Sequence, residues 1–118
     1  MPWRPDFFLP INPDDPRNRD RLDPQGERIR LRLNRDGANL VDFVVQYETP
    51  TPNGEHSHAV VLRSDMTHAP HVDRFDRFGR HRQEWLPATL SPSDTITLVL
   101  QDIRMYWRTM RAAYFEGL

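Results

Sequence analysis

Hydrophobic and polar residues alternate in short stretches from residue 28 onward, as they do in half-buried β-strands. The first stretch, RIRLRL at residues 28–33, has arginine on one face and aliphatic side chains on the other. Four further stretches of this kind follow, at residues 40–48, 58–64, 71–75 and 80–86. Because the segments between them have the length and composition of turns, the sequence predicts an antiparallel meander of about five strands.

The C-terminal segment has a helical period instead. The sequence Ser91-Pro92-Ser93-Asp94 supplies a capping hydroxyl, a proline for the first turn and an acidic residue. Apolar residues then recur at helical spacing, at Ile96, Val99, Leu100, Ile103, Trp107, Met110 and Tyr114. We therefore expect one C-terminal helix that ends near Gly117 and packs on one face of the sheet. The predicted fold class is α+β.

Residues 1–26 differ from the rest of the chain because they contain six of its eleven prolines. Proline blocks helix and removes backbone donors, so this segment is predicted to be an extended Pro-rich arm beside a single α+β domain at residues 27–118. Its apolar part, Trp3 to Ile11, is expected to dock on a sheet. Docking on a neighbouring chain, or contact through an uncovered sheet face, would give a dimer; docking on the same chain would leave a monomer.

Length, charge and cysteine content limit the class of protein. A chain of 118 residues forms one domain. Its 16 basic residues, all arginine, and 17 acidic residues leave a net charge of −1, so there is no general attraction to nucleic acid. The chain has no cysteine, no long apolar run and no secretory signal, which predicts a soluble cytoplasmic protein without disulfides or membrane contact. No Gly-rich phosphate loop occurs, and no cofactor is predicted.

The densest polar segment is residues 63–73. Its candidate catalytic residues are His68, His71, Asp73 and Arg63, and Asp65 is a candidate binding residue. Imidazole can act as a general acid or base near neutral pH, and arginine can stabilise a charged transition state. Imidazole and carboxylate together also suit divalent metals, but this spacing is not specific and no metal site is predicted. We expect the histidines and carboxylates of this segment to surround one concavity.

A second candidate surface is the stripe of Arg28, Arg30 and Arg32 on the first strand. Such a stripe can line a phosphate backbone, which makes these arginines candidate binding residues. Alternatively, acidic and amide side chains of the neighbouring strand neutralise them across the sheet; these are Asp42, Gln46 and Glu48.

Several short motifs between residues 31 and 86 also show a resemblance. The motifs are Phe43-Val44-Val45-Gln46-Tyr47-Glu48, Arg63-Ser64-Asp65, His68, His71-Val72-Asp73, and Gly79 ahead of Trp85-Leu86-Pro87. In these motifs the chain resembles short prokaryotic proteins near the TumE-like toxin families. The resemblance implies a stand-alone module of the kind found beside toxin–antitoxin or mobile loci.

Two functions stay open at this point. One is a binding module that contacts a partner protein. The other is a small RNA-acting, endoribonuclease-like enzyme that uses the His/Asp/Arg cluster at residues 63–81, where the RNA 2′-hydroxyl serves as the nucleophile. The binding module is favoured because the net charge is close to zero.

Overall fold

One antiparallel sheet contains all the strands of the described residues, which in this computed structural model are 6–11, 26–51 and 58–118. The strands lie side by side in chain order: β1 (Phe7–Pro10), β2 (Arg28–Asp36), β3 (Asn39–Pro50), β4 (His58–Asp65), β5 (His71–Phe75) and β6 (His81–Trp85). One helix, α1 (Pro92–Glu116), follows. The predicted α+β meander with a C-terminal helix is confirmed.

The number of strands was predicted wrongly, since the sheet has six strands and not five. The additional strand, β1, comes from the segment that we assigned to the arm. It pairs with β2 of the same chain, with Leu9 opposite Ile29, and Ile11 after it is buried in the core. This part of the arm therefore docks on its own sheet. The rest of the predicted arm, residues 1–5 and 12–25, lies outside the described residues.

The core lies between α1 and one face of the sheet. On β3, Phe43, Val45 and Tyr47 project to this face and are 0% exposed. The helical stripe meets them: Val99, Ile103 and Met110 are buried, and the other predicted stripe residues are partly buried against the core. Both amphipathic patterns were therefore assigned to the correct faces. None of the described helices is long and apolar enough to cross a membrane.

The ends of α1 form as the sequence indicates. The Ser91 hydroxyl accepts a hydrogen bond from the backbone N–H of Asp94 at 3.1 Å, which satisfies one of the free donors of the first turn. At the other end Gly117 has a φ of 108°, and its N–H donates to the Ala113 carbonyl at 2.9 Å. A side chain at this φ would be strained, so the glycine fixes where the helix ends.

The carboxylate of Asp76 joins the β5–β6 turn to the end of α1. One of its oxygens accepts from the N–H groups of Phe78 and Arg80, each at 2.9 Å, and the other accepts from the N–H of Leu118 at 2.9 Å. Burial alone would raise the pKa of Asp76, but the backbone donors outweigh it and hold the pKa below its ordinary value. The turn that begins at β5 is thus fastened to the C-terminal segment.

A partly buried carboxylate, Glu27, precedes β2 and connects three parts of the fold. Its two oxygens accept hydrogen bonds from the Tyr47 hydroxyl and the Thr49 hydroxyl, both at 2.8 Å. Arg111 of α1 places Nε 3.2 Å from the same carboxylate. Tyr47 and Thr49 are both 0% exposed, so Glu27 is the acceptor that allows their hydroxyls to be buried.

The Tyr47 hydroxyl makes the stability of the fold sensitive to alkaline pH. Burial, reinforced by the Glu27 carboxylate, raises the pKa of Tyr47 far above its ordinary value. The folded chain therefore retains a proton that the unfolded chain loses near pH ~10. This contribution to the free energy of unfolding should be present in full below that pH. Above it, the free energy of unfolding should fall by at most about 1.4 kcal/mol per pH unit. Denaturant unfolding at several pH values across this range tests the prediction. In Tyr47→Phe the free energy of unfolding should no longer depend on pH through this hydroxyl. The same slope against pH in the wild type and in Tyr47→Phe would contradict it.

Candidate functional site

The face of the sheet opposite α1 carries most of the candidate site residues, and we call it the open face. Cross-strand partners project from the same face of a sheet, so the register shows which residues share it. The partners run across the sheet from Phe8 and Arg30 through Gln46, Arg63 and Asp73 to Gln83. A parallel row runs from Arg32 through Val44, Asp65 and His71 to Trp85. The two predicted candidate surfaces are therefore parts of one surface.

At the β1–β2 end, carboxylates hold the predicted arginine stripe. Asp6 lies 2.6 Å from Arg32 Nε and 3.1 Å from Arg30 Nη1. Glu48 lies 2.7 Å from Arg28 Nε and 2.9 Å from Arg30 Nε. The cross-strand neutralisation by Glu48 follows the sequence pattern, whereas the contribution of Asp6 could not be foreseen.

The arginines lie above their carboxylates, closer to solvent. The side chain of Glu48 is 5% exposed, while those of Arg30 and Arg32 are 32% and 44% exposed. The hydrogen bond from Arg32 lowers the pKa of Asp6 below its ordinary value, against the opposing effect of burial. The Phe8 ring is 4.6 Å from the guanidinium carbon of Arg28, a cation–π distance. The guanidinium groups are thus fixed in position and still reachable from solvent.

At the β4–β6 end, charged side chains form a second cluster around His71. Its Nε2 lies 3.3 Å from an oxygen of Asp65 and 3.3 Å from an oxygen of Asp73. Arg63 contacts the other oxygen of Asp65 at 3.4 Å, and His81 contacts the other oxygen of Asp73 at 3.1 Å. These contacts form one continuous row of side chains across three strands, in the order Arg63, Asp65, His71, Asp73 and His81.

Both ring nitrogens of His71 face acceptors. Nδ1 lies 2.8 Å from the carbonyl oxygen of Ala69, which can only accept, so Nδ1 carries the hydrogen. Nε2 faces one carboxylate oxygen of Asp65 and one of Asp73. The side chain is only 5% exposed, and the Trp85 ring lies against it at a centroid distance of 5.5 Å. This geometry fits a group that holds two carboxylates in place better than one that exchanges protons with a substrate.

The structure brings together four of the five candidates from residues 63–73 and separates the fifth. Arg63, Asp65, His71 and Asp73 lie on the open face, as strand alternation requires. His68 lies in the exposed turn before β5 with a φ of 72°, and no hydrogen bond or ion pair among the described residues joins it to the cluster.

A concavity around this cluster stays a prediction. A cavity of about 200 Å³ lies on the other side of the sheet, beside α1, where Arg74, Phe75, Tyr106 and Met110 contribute to its lining. In the described ranges no group of three or more histidine, aspartate or glutamate residues is arranged to hold a metal ion. The ion pairs at both ends make the open face a surface of fixed charges.

Two exposed aromatic residues at opposite ends of the open face were not identified as site residues from the sequence. Phe8 is 38% exposed beside the arginines, and Trp85 is 58% exposed beside His71. Trp85 follows the alternation of β6, which was a usable signal. Phe8 belongs to β1, and nothing in its local sequence indicates the strand with which it pairs.

Comparison with known proteins places the chain in a family. Residues 14–118 match the family described as Domain of unknown function (DUF7718). The chain belongs to the DUF7718 family. The matched residues include every strand from β2 to β6 and α1, whereas β1 precedes them. No curated protein and no solved structure matches the chain. The DUF7718 description names no activity, so the functional argument rests on the open face.

Proposed function

We propose that this chain is a cytoplasmic binding module whose open face receives a partner protein rich in carboxylate and carbonyl acceptors. The observation that carries the proposal is the row of arginines that Asp6 and Glu48 fix in place between two exposed aromatic residues. The same proposal includes a gene location beside toxin–antitoxin or mobile loci, which the resemblance to TumE-like families implies.

Fixed donors favour association because less side-chain freedom is lost on binding. Each guanidinium has five N–H donors, and the contacts with Asp6 and Glu48 engage only some of those of Arg28, Arg30 and Arg32. Arg63, with side-chain exposure of 43% and contacts no shorter than 3.4 Å, is the least restrained. Its remaining donors are available to a partner. Phe8 and Trp85 supply apolar contacts of the type enriched at protein interfaces.

The charge of the open face favours protein over nucleic acid. Four arginines, Arg28, Arg30, Arg32 and Arg63, lie on this face. The carboxylates on the same face are at least as many, so it has no excess positive charge; they are Asp6, Asp42, Glu48, Asp65 and Asp73. Binding to a phosphate backbone depends on excess positive charge that displaces counterions. A surface of fixed donors without excess positive charge suits a protein partner, for which charge complementarity gives specificity.

A second candidate function, cleavage of RNA, is supported by one observation. His81 is the accessible histidine of the cluster, with 52% of its side chain exposed and Nε2 3.1 Å from Asp73. A histidine oriented by a carboxylate can serve as a general base, and Arg63 lies on the same face. Incubating labelled RNA with the chain and with His81→Ala tests this: cleavage abolished by the substitution would establish the enzyme and overturn the purely binding role.

Site-specific photo-crosslinking in living cells tests the proposed binding function. A photoreactive residue is placed at Arg63 on the open face or, as a matched control, at Met105, which is 70% exposed on α1. We expect position 63 to give an adduct with one protein, removed by protease and unaffected by nuclease. Position 105 should not give that adduct.

Two results would contradict the proposal. Nuclease-sensitive adducts at position 63 would identify the ligand as nucleic acid. Identical adducts from positions 63 and 105, or none from position 63, would show that the open face has no specific role in binding.

A further inference from the structure

The last strand of the sheet, β6, has a free edge. All five of its residues are exposed, and within the described part of the chain β6 pairs only with β5. It contains no proline, whereas β1 at the opposite edge has four residues and ends at Pro10. Free strand edges are templates for pairing with another chain unless they are blocked. β6 is the less protected of the two edges.

The backbone groups at this free edge can be identified. The N–H of Asp76 donates to the carbonyl of Arg80, and the N–H of Leu86 donates to the carbonyl of Pro70. Residues of an antiparallel strand direct their N–H and C=O groups alternately to either side. Arg80 and Leu86 bond toward β5, and residues two apart repeat that direction. The backbone groups of Arg82 and Glu84 therefore also point toward β5. The backbone groups that point outward belong to His81, Gln83 and Trp85.

One charged side chain of β6, that of Arg82, has no oppositely charged partner among the described residues. Arg82 lies directly opposite Arg74 of β5, and like charges in this position repel. Arg74 has two partners, Glu84 at 3.3 Å and Asp102 at 3.5 Å. Arg82 makes no ion pair or side-chain hydrogen bond among the described residues. A carboxylate on its other side would relieve this repulsion.

We propose that β6 pairs antiparallel with β6 of a second copy of this chain, about a two-fold axis at Gln83. The sequence HRQEW is complementary to itself in this register. Arg82 faces the partner's Glu84, and Glu84 faces the partner's Arg82. On the other face His81 lies opposite the partner's Trp85. His81, Gln83 and Trp85 direct their backbone groups toward the partner strand. Each of the three facing pairs that they form with the partner can therefore exchange two backbone hydrogen bonds.

This dimer goes beyond the proposed function, because it uses the edge of the sheet and leaves α1 and the arginine stripe uncovered. It joins two sheets into one continuous sheet and doubles the open face. The contact is small for a protein interface, so association should be weak and should depend on concentration.

Reciprocal charge reversal, followed by sedimentation equilibrium over a wide concentration range, tests the pairing. The wild-type chain should associate to a dimer. Arg82→Glu or Glu84→Arg alone places like charges opposite each other and should weaken association about tenfold or more. The double variant R82E/E84R restores both pairs and should associate as the wild type does. An equal mixture of the two single variants should form a heterodimer, since every facing pair then has opposite charges.

A second pair of variants tests the backbone contacts without changing charge. Gln83→Pro removes one outward N–H that has no partner among the described residues, so the monomer should still fold, as edge-strand prolines permit. Gln83→Ala is the matched control, because it retains the N–H. We expect the proline variant to lose dimerisation and the alanine variant to keep it.

Thermal unfolding confirms that each variant is folded, and it matters most for Glu84→Arg, which adds a cation near Arg74. Should that variant not fold, the double variant and the Gln83 pair still decide the question. A wild-type chain that stays monomeric at every concentration overturns the proposal. A dimer that Arg82→Glu and Gln83→Pro leave intact also overturns it.

Discussion

Replacing Phe43 by alanine is expected to lower the free energy of unfolding by about 3–5 kcal/mol. Phe43 is 0% exposed at the centre of the sheet, and its ring is part of the core beneath α1. Truncation removes the buried ring and leaves a cavity that the surrounding strands can fill only in part. Chemical denaturation monitored by circular dichroism measures the change.

Val41 provides the control on the same strand, at the point where the register with β2 shifts. Its side chain is not part of the core, since the residue is 47% exposed. Val41→Ala should therefore change stability by no more than about 0.5 kcal/mol. Equal losses of unfolding free energy in Phe43→Ala and Val41→Ala would contradict the assignment of Phe43 to the core and of Val41 to the surface.

Replacing Glu27 by alanine is expected to destabilise the fold by about 2–5 kcal/mol. The substitution removes the acceptor from two hydroxyls that are 0% exposed, those of Tyr47 and Thr49. A buried donor without an acceptor retains the full desolvation cost, so the loss should exceed that of an ordinary surface ion pair. Denaturant unfolding at neutral pH measures it.

Two comparisons separate this network from the salt bridge to α1. Arg111→Ala should cost at most about 1 kcal/mol, because that side chain is half exposed. Tyr47→Phe should cost less in the Glu27→Ala background than alone, since the hydroxyl has then already lost its acceptor. Strict additivity of Glu27→Ala and Tyr47→Phe would contradict the proposed network.

The parts of the fold that were predicted correctly are those with local signals. The alternation of RIRLRL indicates which residues of β2 face the core, and Ser91 and Gly117 bracket the helix within one or two residues. These signals operate within a strand or a turn of helix. No long-range information is needed to interpret them.

β1 was missed because its evidence is not local. Four residues, FFLP, do not form a recognisable strand, and their proline favours an arm. The strand exists because it adds to the edge of β2, with Phe7 opposite Leu31. Asp6, which precedes it, reaches Arg32 across 26 residues of sequence. No spacing rule predicts such a contact.

The same distinction applies to the site. Arg63, Asp65, His71 and Asp73 lie on paired strands, so alternation and antiparallel pairing were sufficient to group them. His68 lies in the turn between those strands, where no periodicity fixes the direction of a side chain. Glu27 was seen only as the residue before a strand, because its role depends on Tyr47 and on α1.

The affinity of the partner protein for open-face variants tests the central proposal most directly. Once photo-crosslinking from position 63 has identified that partner, isothermal titration calorimetry compares the wild type with Arg63→Glu and Met105→Glu. We predict that Arg63→Glu weakens binding tenfold or more, about 1.4 kcal/mol, because it reverses the least restrained donor on the open face. Met105→Glu, on the exposed side of α1, should bind as the wild type does. Unchanged affinity in Arg63→Glu, or an equal loss in both variants, would contradict the assignment of binding to the open face.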